Sequence, residues 1–355
     1  MRLRSFVFPV HLILAGFSPR GSPIFSILIG LVVISSFLAG LVFVGSYLDG
    51  TLHLPNGGKG LLNHYGVWAI LIADPLVFIS TAYSWYLFKS ALAGLPFRDE
   101  KATEEIRRHV ASCVKIITLS DNSGCVVYAM CVITGALSWL NNIRQTIDPE
   151  KYYGHQVFDA FQFALGFSAT KIALFVSWVL IYPACGFVAL LLPIFTFRIL
   201  RTIETQSLLK PSVFHPDGCY GFAALGKLNI SLLIPFVIAF FVALAILLTH
   251  EHIYASIVVP LVSITVIILF VSFITIYPIL AQIRDVRNRQ YTRLKDRGKD
   301  IAKLDFAESL SFGIERICFG LSNDTPYSRD AKMLLIAFRV IPIVITTYKA
   351  IYPFV

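Results

Sequence analysis

The stretch F-H-P-D-G-C-Y-G-F, Phe214 to Phe222, puts a histidine, an aspartate, a cysteine and two glycines directly before a long apolar run. An imidazole and a carboxylate this close can share a proton, cap a helix or contact a ligand. Pro216-Asp217-Gly218 is a turn sequence. Asp217 can cap a helix that starts with Cys219 and continues into the apolar run. Two readings stay open. In one, the stretch is a tight elbow in which His215 bonds a neighbouring carbonyl. In the other, His215 and Asp217 form a gate or ligand contact. A hydrolytic His–Asp site would need a nucleophile, and GxSxG, HExxH, the P-loop and the kinase motifs are all absent. The chain is expected not to be an enzyme and to need no cofactor.

Other residues carry different chemistry. Asp74, followed by Pro75, is the one acid well inside an apolar run, about 10 Å below its outer end. A charge at that depth is paired or functional. The sequence allows an ion pair with Lys171, and equally an ion-selectivity, proton or coupling site. Pro75 also frees a backbone carbonyl one turn earlier. Thr265 and Ser272 stand about 20° apart on a helical wheel, with Thr275 further round the same half. Such hydroxyls line a pore or bond neighbouring helices. Arg284, Arg287, Arg289, Arg293 and Arg297 dominate a basic stretch up to Lys303. It suits anchoring to anionic inner-leaflet lipid, at about 1 kcal/mol per base. Its guanidinium forks also suit an anionic, nucleotide-type ligand.

These residues need a scaffold, and composition names it. Hydrophobic residues make up 56% of the 355 and charged ones 14%, with a mean hydropathy of +0.73. A soluble domain carries roughly 25% charged residues. The chain reads as an all-α integral membrane protein, embedded in the lipid bilayer. Apolar runs at about 24–48, 67–90, 122–141, 171–197, 228–249 and 255–281 are each long enough to span. That predicts a bundle of about six transmembrane helices over residues 24–281. A membrane-surface segment (1–23) precedes it, and a solvated helix at 98–116 interrupts it. A basic cytoplasmic helical region (282–330) and an amphipathic C-terminal helix (331–355) follow. In the tail, Lys332, Arg339 and Thr346 repeat every seven residues on one face. This favours a helix on the membrane surface or packed on a partner over a further span.

Lys and Arg are concentrated in alternate loops, which places both termini in the cytoplasm and F-H-P-D-G-C-Y-G-F on the same side. The six cysteines show no CxxC pair and read as reduced packing residues. The two halves of the chain do not repeat, which weighs against an inverted-repeat transporter.

F-H-P-D-G-C-Y-G-F-A-A-L-G resembles a motif of the form HPD-G-x-x-G-(F/L)-x-x-LG in bacterial multispanning membrane proteins, where it also stands between two apolar segments. Some of these resemble membrane channel effectors of anti-phage systems of the Hailong type. The resemblance implies a homo-oligomeric channel in the bacterial inner membrane, gated from the cytoplasm by an anionic nucleotide or oligonucleotide. It assigns no residue roles. The alternatives are a small-solute or ion transporter using Asp74, and a membrane adaptor that recruits a cytoplasmic partner.

Overall fold

A computed structural model describes residues 35–48, 65–147, 168–210, 217–249, 255–299, 306–322, 325–327 and 329–351, with isolated positions such as Val10, Ile13, Leu52 and His215 besides. Most of the predicted segment 1–23 lies outside the described residues, as does 24–34 of the first predicted span.

The described residues form helices: α1 (Ser35–Leu48), α2 (Tyr65–Ala93), α3 (Glu100–Ile117), α4 (Asn122–Ile147), α5 (Ser168–Phe175), a π-helical turn (Val176–Ile181), α6 (Tyr182–Thr205), α7 (Ala223–Thr249), α8 (Ala255–Ile274), α9 (Tyr277–Lys299), α10 (Phe306–Leu321) and α11 (Arg329–Ile351). Among the described residues, six helical stretches are long and apolar enough to cross a membrane: Tyr65–Ala93, Asn122–Leu140, Ile172–Thr205, Ala223–Leu248, Val258–Lys299 and Ala331–Tyr348. The number matches the expectation, but the membership differs. Only a short apolar helix of the first predicted span is described, whereas the tail helix qualifies.

The tail helix departs most from its expected place. α11 runs antiparallel to α8: Thr346 Oγ1 lies 3.0 Å from Thr265 Oγ1, and Arg339 Nε donates to Ser272 Oγ at 3.0 Å. Seven residues up one helix match seven down the other. The polar stripe of α11 therefore faces protein, while Met333, Ile336, Val340 and Val344 are exposed. In water, the burial of apolar surface would drive the reverse arrangement. In lipid, association rests on packing and interhelical hydrogen bonds, and polar side chains turn inward. α4 shows the same outward apolar stripe, Val126, Met130, Ile133, Leu137 and Leu140.

α2 is the central post. It packs most extensively on α7 and also on α6. Phe88, Phe187, Leu192, Leu233 and Phe240 are fully buried between them. Ser84 ties α2 to α7 by donating to the Ser231 carbonyl at 2.8 Å. α3 forms where the sequence places a solvated helix. Asp99 caps it by accepting from the Ala102 N–H at 2.8 Å, and Ala102, Ile106, Cys113 and Ile117 form its buried face. The sixth predicted span does continue beyond the bilayer length, with one break at Thr275–Ile276 before α9 resumes. All six cysteines are free thiols.

Candidate functional site

Chemistry-bearing residues gather at two levels, one about a third of the way along α2 and one at the end where residues 96–99, 206–210, 217–222, 322 and 325–327 lie.

The first level centres on Asp74. Its side chain is fully buried. Ser177 donates its hydroxyl to Asp74 Oδ2 at 2.5 Å and also bonds the Ala173 carbonyl at 3.1 Å. Ser177 lies in the π-helical turn, and the cause is local. Pro183 has no N–H to return to the carbonyl four residues earlier. The ladder lengthens by a residue, and the Tyr182 N–H bonds the Ser177 carbonyl. π-turns recur at functional sites because they re-aim side chains. Here the turn sets Ser177, Trp178 and Tyr182 around the acid. The Tyr182 hydroxyl lies close enough to Asp74 to feel its charge. It is the neighbour of the carboxylate oxygen that Ser177 leaves free, a contact at hydrogen-bonding range though not of ideal geometry. Trp178 Nε1 is buried without a partner among the described residues, and Thr81 lies against the Cys185 thiol. Unpaired buried polar atoms are rare in folded proteins.

Gly135 of α4 makes the close approach to this turn. A Cβ there would lie 2.0 Å from the Trp178 carbonyl oxygen and 2.8 Å from Pro183 Cγ. The predicted partner Lys171 is in α5, but its side chain lies outside the described residues. Among the described side chains, the hydroxyl of Ser177 donates to the acid.

The second level is the F-H-P-D-G-C-Y-G-F knot. The helix does not start at Cys219 but at Ala223. Residues 217–221 form a turn with positive φ at Gly218 (63°), Tyr220 (61°) and Gly221 (94°). A buried tyrosine in this backbone region is uncommon. It is held there by its hydroxyl, 2.9 Å from Ser322 Oγ. The Asp217 carboxylate sits at the centre of the turn. Oδ1 accepts from the Cys219 N–H (2.8 Å) and the Gly221 N–H (3.1 Å), and Oδ2 from the Ala223 N–H (3.0 Å). His215 Nδ1 lies 3.0 Å from Oδ1. Burial works against ionisation of Asp217. The backbone N–H groups of Ala223, Cys219 and Gly221 and the imidazole outweigh it, and hold the carboxyl below its ordinary range. His215 thus addresses the carboxylate rather than the neighbouring carbonyl that the elbow reading expected.

The knot is a junction. Its Gly221 packs on Pro96 of the α2–α3 connection, where a Cβ would lie 2.9 Å from Pro96 Cγ. That connection bonds back to the α6–α7 connection, Arg98 N–H to the Leu208 carbonyl and Lys210 N–H to the Pro96 carbonyl, both at 2.8 Å. Tyr220 reaches Ser322 at the end of α10. One turn into α7, Gly226 faces the Pro326 carbonyl oxygen, which a Cβ would approach to 2.1 Å. Tyr327 donates to Asn229 Oδ1 at 2.7 Å. Asn229 in turn donates to Thr275 Oγ1. Three inter-helix connections are pinned to one turn.

The remaining sequence candidates are placed differently from expectation. Thr265, Ser272 and Thr275 are buried and bonded to Thr346, Arg339 and Asn229 respectively. Within the chain they form a helix-contact face. The Arg339 guanidinium also donates to the Ser272 carbonyl at 3.0 Å and lies 4.2 Å from the Phe273 ring centroid. The arginines of α9 do not converge. Arg289 pairs with Asp285 on its own helix, Arg287 lies over the Phe319 ring, and Arg297 bonds Glu315 of α10 at 3.2 Å. Arg284 and Arg293 are exposed. Ser177, Tyr182, Asn229, Ser322 and Tyr327 escaped the sequence reading. Pro183 and the lone amide of Asn229 in an apolar span were the signals available. Among the described residues no group of three His, Cys, Asp or Glu side chains gathers to hold a metal.

No protein-family model, curated protein or solved structure matches the chain.

Proposed function

We propose that the chain is a multi-pass membrane transport protein in which Asp74 takes up and releases a proton or a monovalent cation about a third of the way across the bilayer. The observation that carries this reading is the fully buried Asp74 carboxylate, which among the described side chains is met by hydroxyls and by no cation: Ser177 from the π-helical turn, and Tyr182 beside it. A charge enclosed by protein with one strong donor is costly. Protonation or cation binding removes that cost, and Ser177 and Tyr182 supply the hydroxyls to hold the group in either state. Pro75 beside the acid and the π-turn opposite it interrupt two helix ladders at the same level, which gives the backbone local freedom to rearrange.

The test is reconstitution of the purified protein into liposomes that enclose a pH-sensitive dye. An imposed proton or potassium gradient should dissipate faster with the wild-type protein than with empty vesicles. Asp74→Asn should abolish the difference while the protein still elutes as a folded species, and Ser177→Ala should slow it. Wild-type flux in folded Asp74→Asn refutes the reading.

The knot supports a second reading, the oligomeric channel that the motif resemblance implies. A junction pinning three connections is a suitable place for a cytoplasmic gate. Single-channel conductance in planar bilayers, lost in His215→Gln while the oligomer survives in detergent, would favour it over transport.

A further inference from the structure

Where α3 crosses the end of α2, a cavity of about 140 Å³ lies between the two helices. Three polar side chains reach it: Lys89 from α2, and Thr103 and Arg107 from α3. Leu92, Phe97 and Ile106 form much of its apolar wall. Lys89 is half-buried, with its ammonium 5.0 Å from the Trp85 ring centroid, and no carboxylate pairs with it among the described residues. Arg107 shares Glu104 with Arg108, at 3.2 and 3.8 Å, and is otherwise largely exposed.

This site is separate from Asp74, and it adjoins the knot only through Phe97, next to the Pro96 that packs on Gly221. Its chemistry is cationic on one side and apolar on the other, at the end of a helix long enough to span a bilayer. That combination matches an amphiphile rather than a soluble anion. Size narrows the choice further. Pockets for whole drug-sized or nucleotide-sized ligands start at about 300 Å³, so the cavity has room for a headgroup-sized moiety. We propose that the cavity seats the phosphodiester of an anionic phospholipid. The phosphate lies between Lys89, Arg107 and Thr103, and the glycerol end runs along Leu92 and Phe97. A half-buried lysine over a tryptophan ring supplies a point charge in a partly dehydrated place, and Arg107 adds donors at the rim. The ligand would hold the amphipathic α3 against the bundle.

Native mass spectrometry of the full-length protein in a neutral detergent tests this, with dioleoyl phosphatidylglycerol, dioleoyl phosphatidylcholine and inorganic phosphate as probes. The wild-type protein should retain phosphatidylglycerol at least about fivefold better than phosphatidylcholine, the factor expected from one cation near a membrane surface. Arg107→Gln, on an exposed side chain, and Val110→Trp, which fills the cavity, should each remove most of that preference. Lys89→Met should do the same if it folds. Arg293→Gln, on the distant basic helix α9, should leave the preference intact. Inorganic phosphate at millimolar concentration should not displace the lipid, and displacement would assign the same site to free phosphate. Equal retention of the two lipids by the wild-type protein overturns the proposal. So does a preference that survives both Arg107→Gln and Val110→Trp.

Discussion

Replacing Asp217 by asparagine separates two accounts of the knot. As a simple helix cap, asparagine serves as well as aspartate, and the substitution would be almost silent. The observed geometry says otherwise. Both carboxylate oxygens accept backbone N–H groups, Oδ1 from Cys219 and Gly221 and Oδ2 from Ala223. An asparagine has one acceptor oxygen, so in either orientation its –NH2 faces an N–H. One hydrogen bond to a charged acceptor is lost, about 1.5–3 kcal/mol. The negative charge at the start of α7 goes too, at about 0.3–1 kcal/mol. Asp217→Asn should therefore cost about 2–4 kcal/mol, and the Asp217 side chain is only 18% exposed, so solvent screens little of it. The assay is thermal unfolding of the detergent-solubilised protein across a pH series. The carboxyl is held below its ordinary range, so its contribution is complete above the unfolded-state pKa of about 3.9 and fades as pH falls through the lower folded value. The gap between wild type and Asp217→Asn should be constant at neutral pH and close in acid. Equal stability at pH 7, or a gap that does not shrink in acid, refutes the reasoning.

Other expected outcomes follow from single contacts. Gly135→Ala puts a methyl group against the Trp178 carbonyl and Pro183. Backbone must move, and the loss should be about 1–3 kcal/mol in melting experiments, with the Asp74-dependent flux impaired as well. Tyr327→Phe leaves Asn229 Oδ1 buried without its donor, at a cost of about 1–3 kcal/mol. Because the two residues share the bond, the double mutant Tyr327→Phe, Asn229→Leu should lose less than the sum of the singles in a double-mutant cycle. Cysteines placed at Asn56, Gln145 and His252 should react with an impermeant thiol reagent in intact cells, and cysteines at Gln206 and Asn288 should not. The reverse pattern would invert the topology expected from the basic loops.

The helical class and the apolar runs were legible in the chain because length and hydropathy are additive along it. A run of some 20 apolar residues forms a helix of bilayer length whatever lies beside it. The solvated helix α3 was legible as well, since its charged and apolar pattern is local to residues 98–116. Asp74 stood out because one acid in an apolar run is conspicuous in any arrangement. What each polar residue addresses was not legible, because that depends on neighbours far along the chain. Ser177 meets Asp74 from 103 residues away, and Tyr327 meets Asn229 from 98. The hydroxyls of Thr265 and Ser272 read equally as pore lining or helix contact until α11 is placed antiparallel to α8. The same holds for Lys332, Arg339 and Thr346. A seven-residue polar stripe has the same period whether it faces water or protein, and in α11 Arg339 and Thr346 turn to protein while Met333, Ile336, Val340 and Val344 face outward. The junction at Asp217 is tertiary in the same sense. Its turn residues announce themselves in sequence. The meeting of three connections on that turn was decided by packing, through the close approaches of Gly221 to Pro96 and of Gly226 to the Pro326 carbonyl.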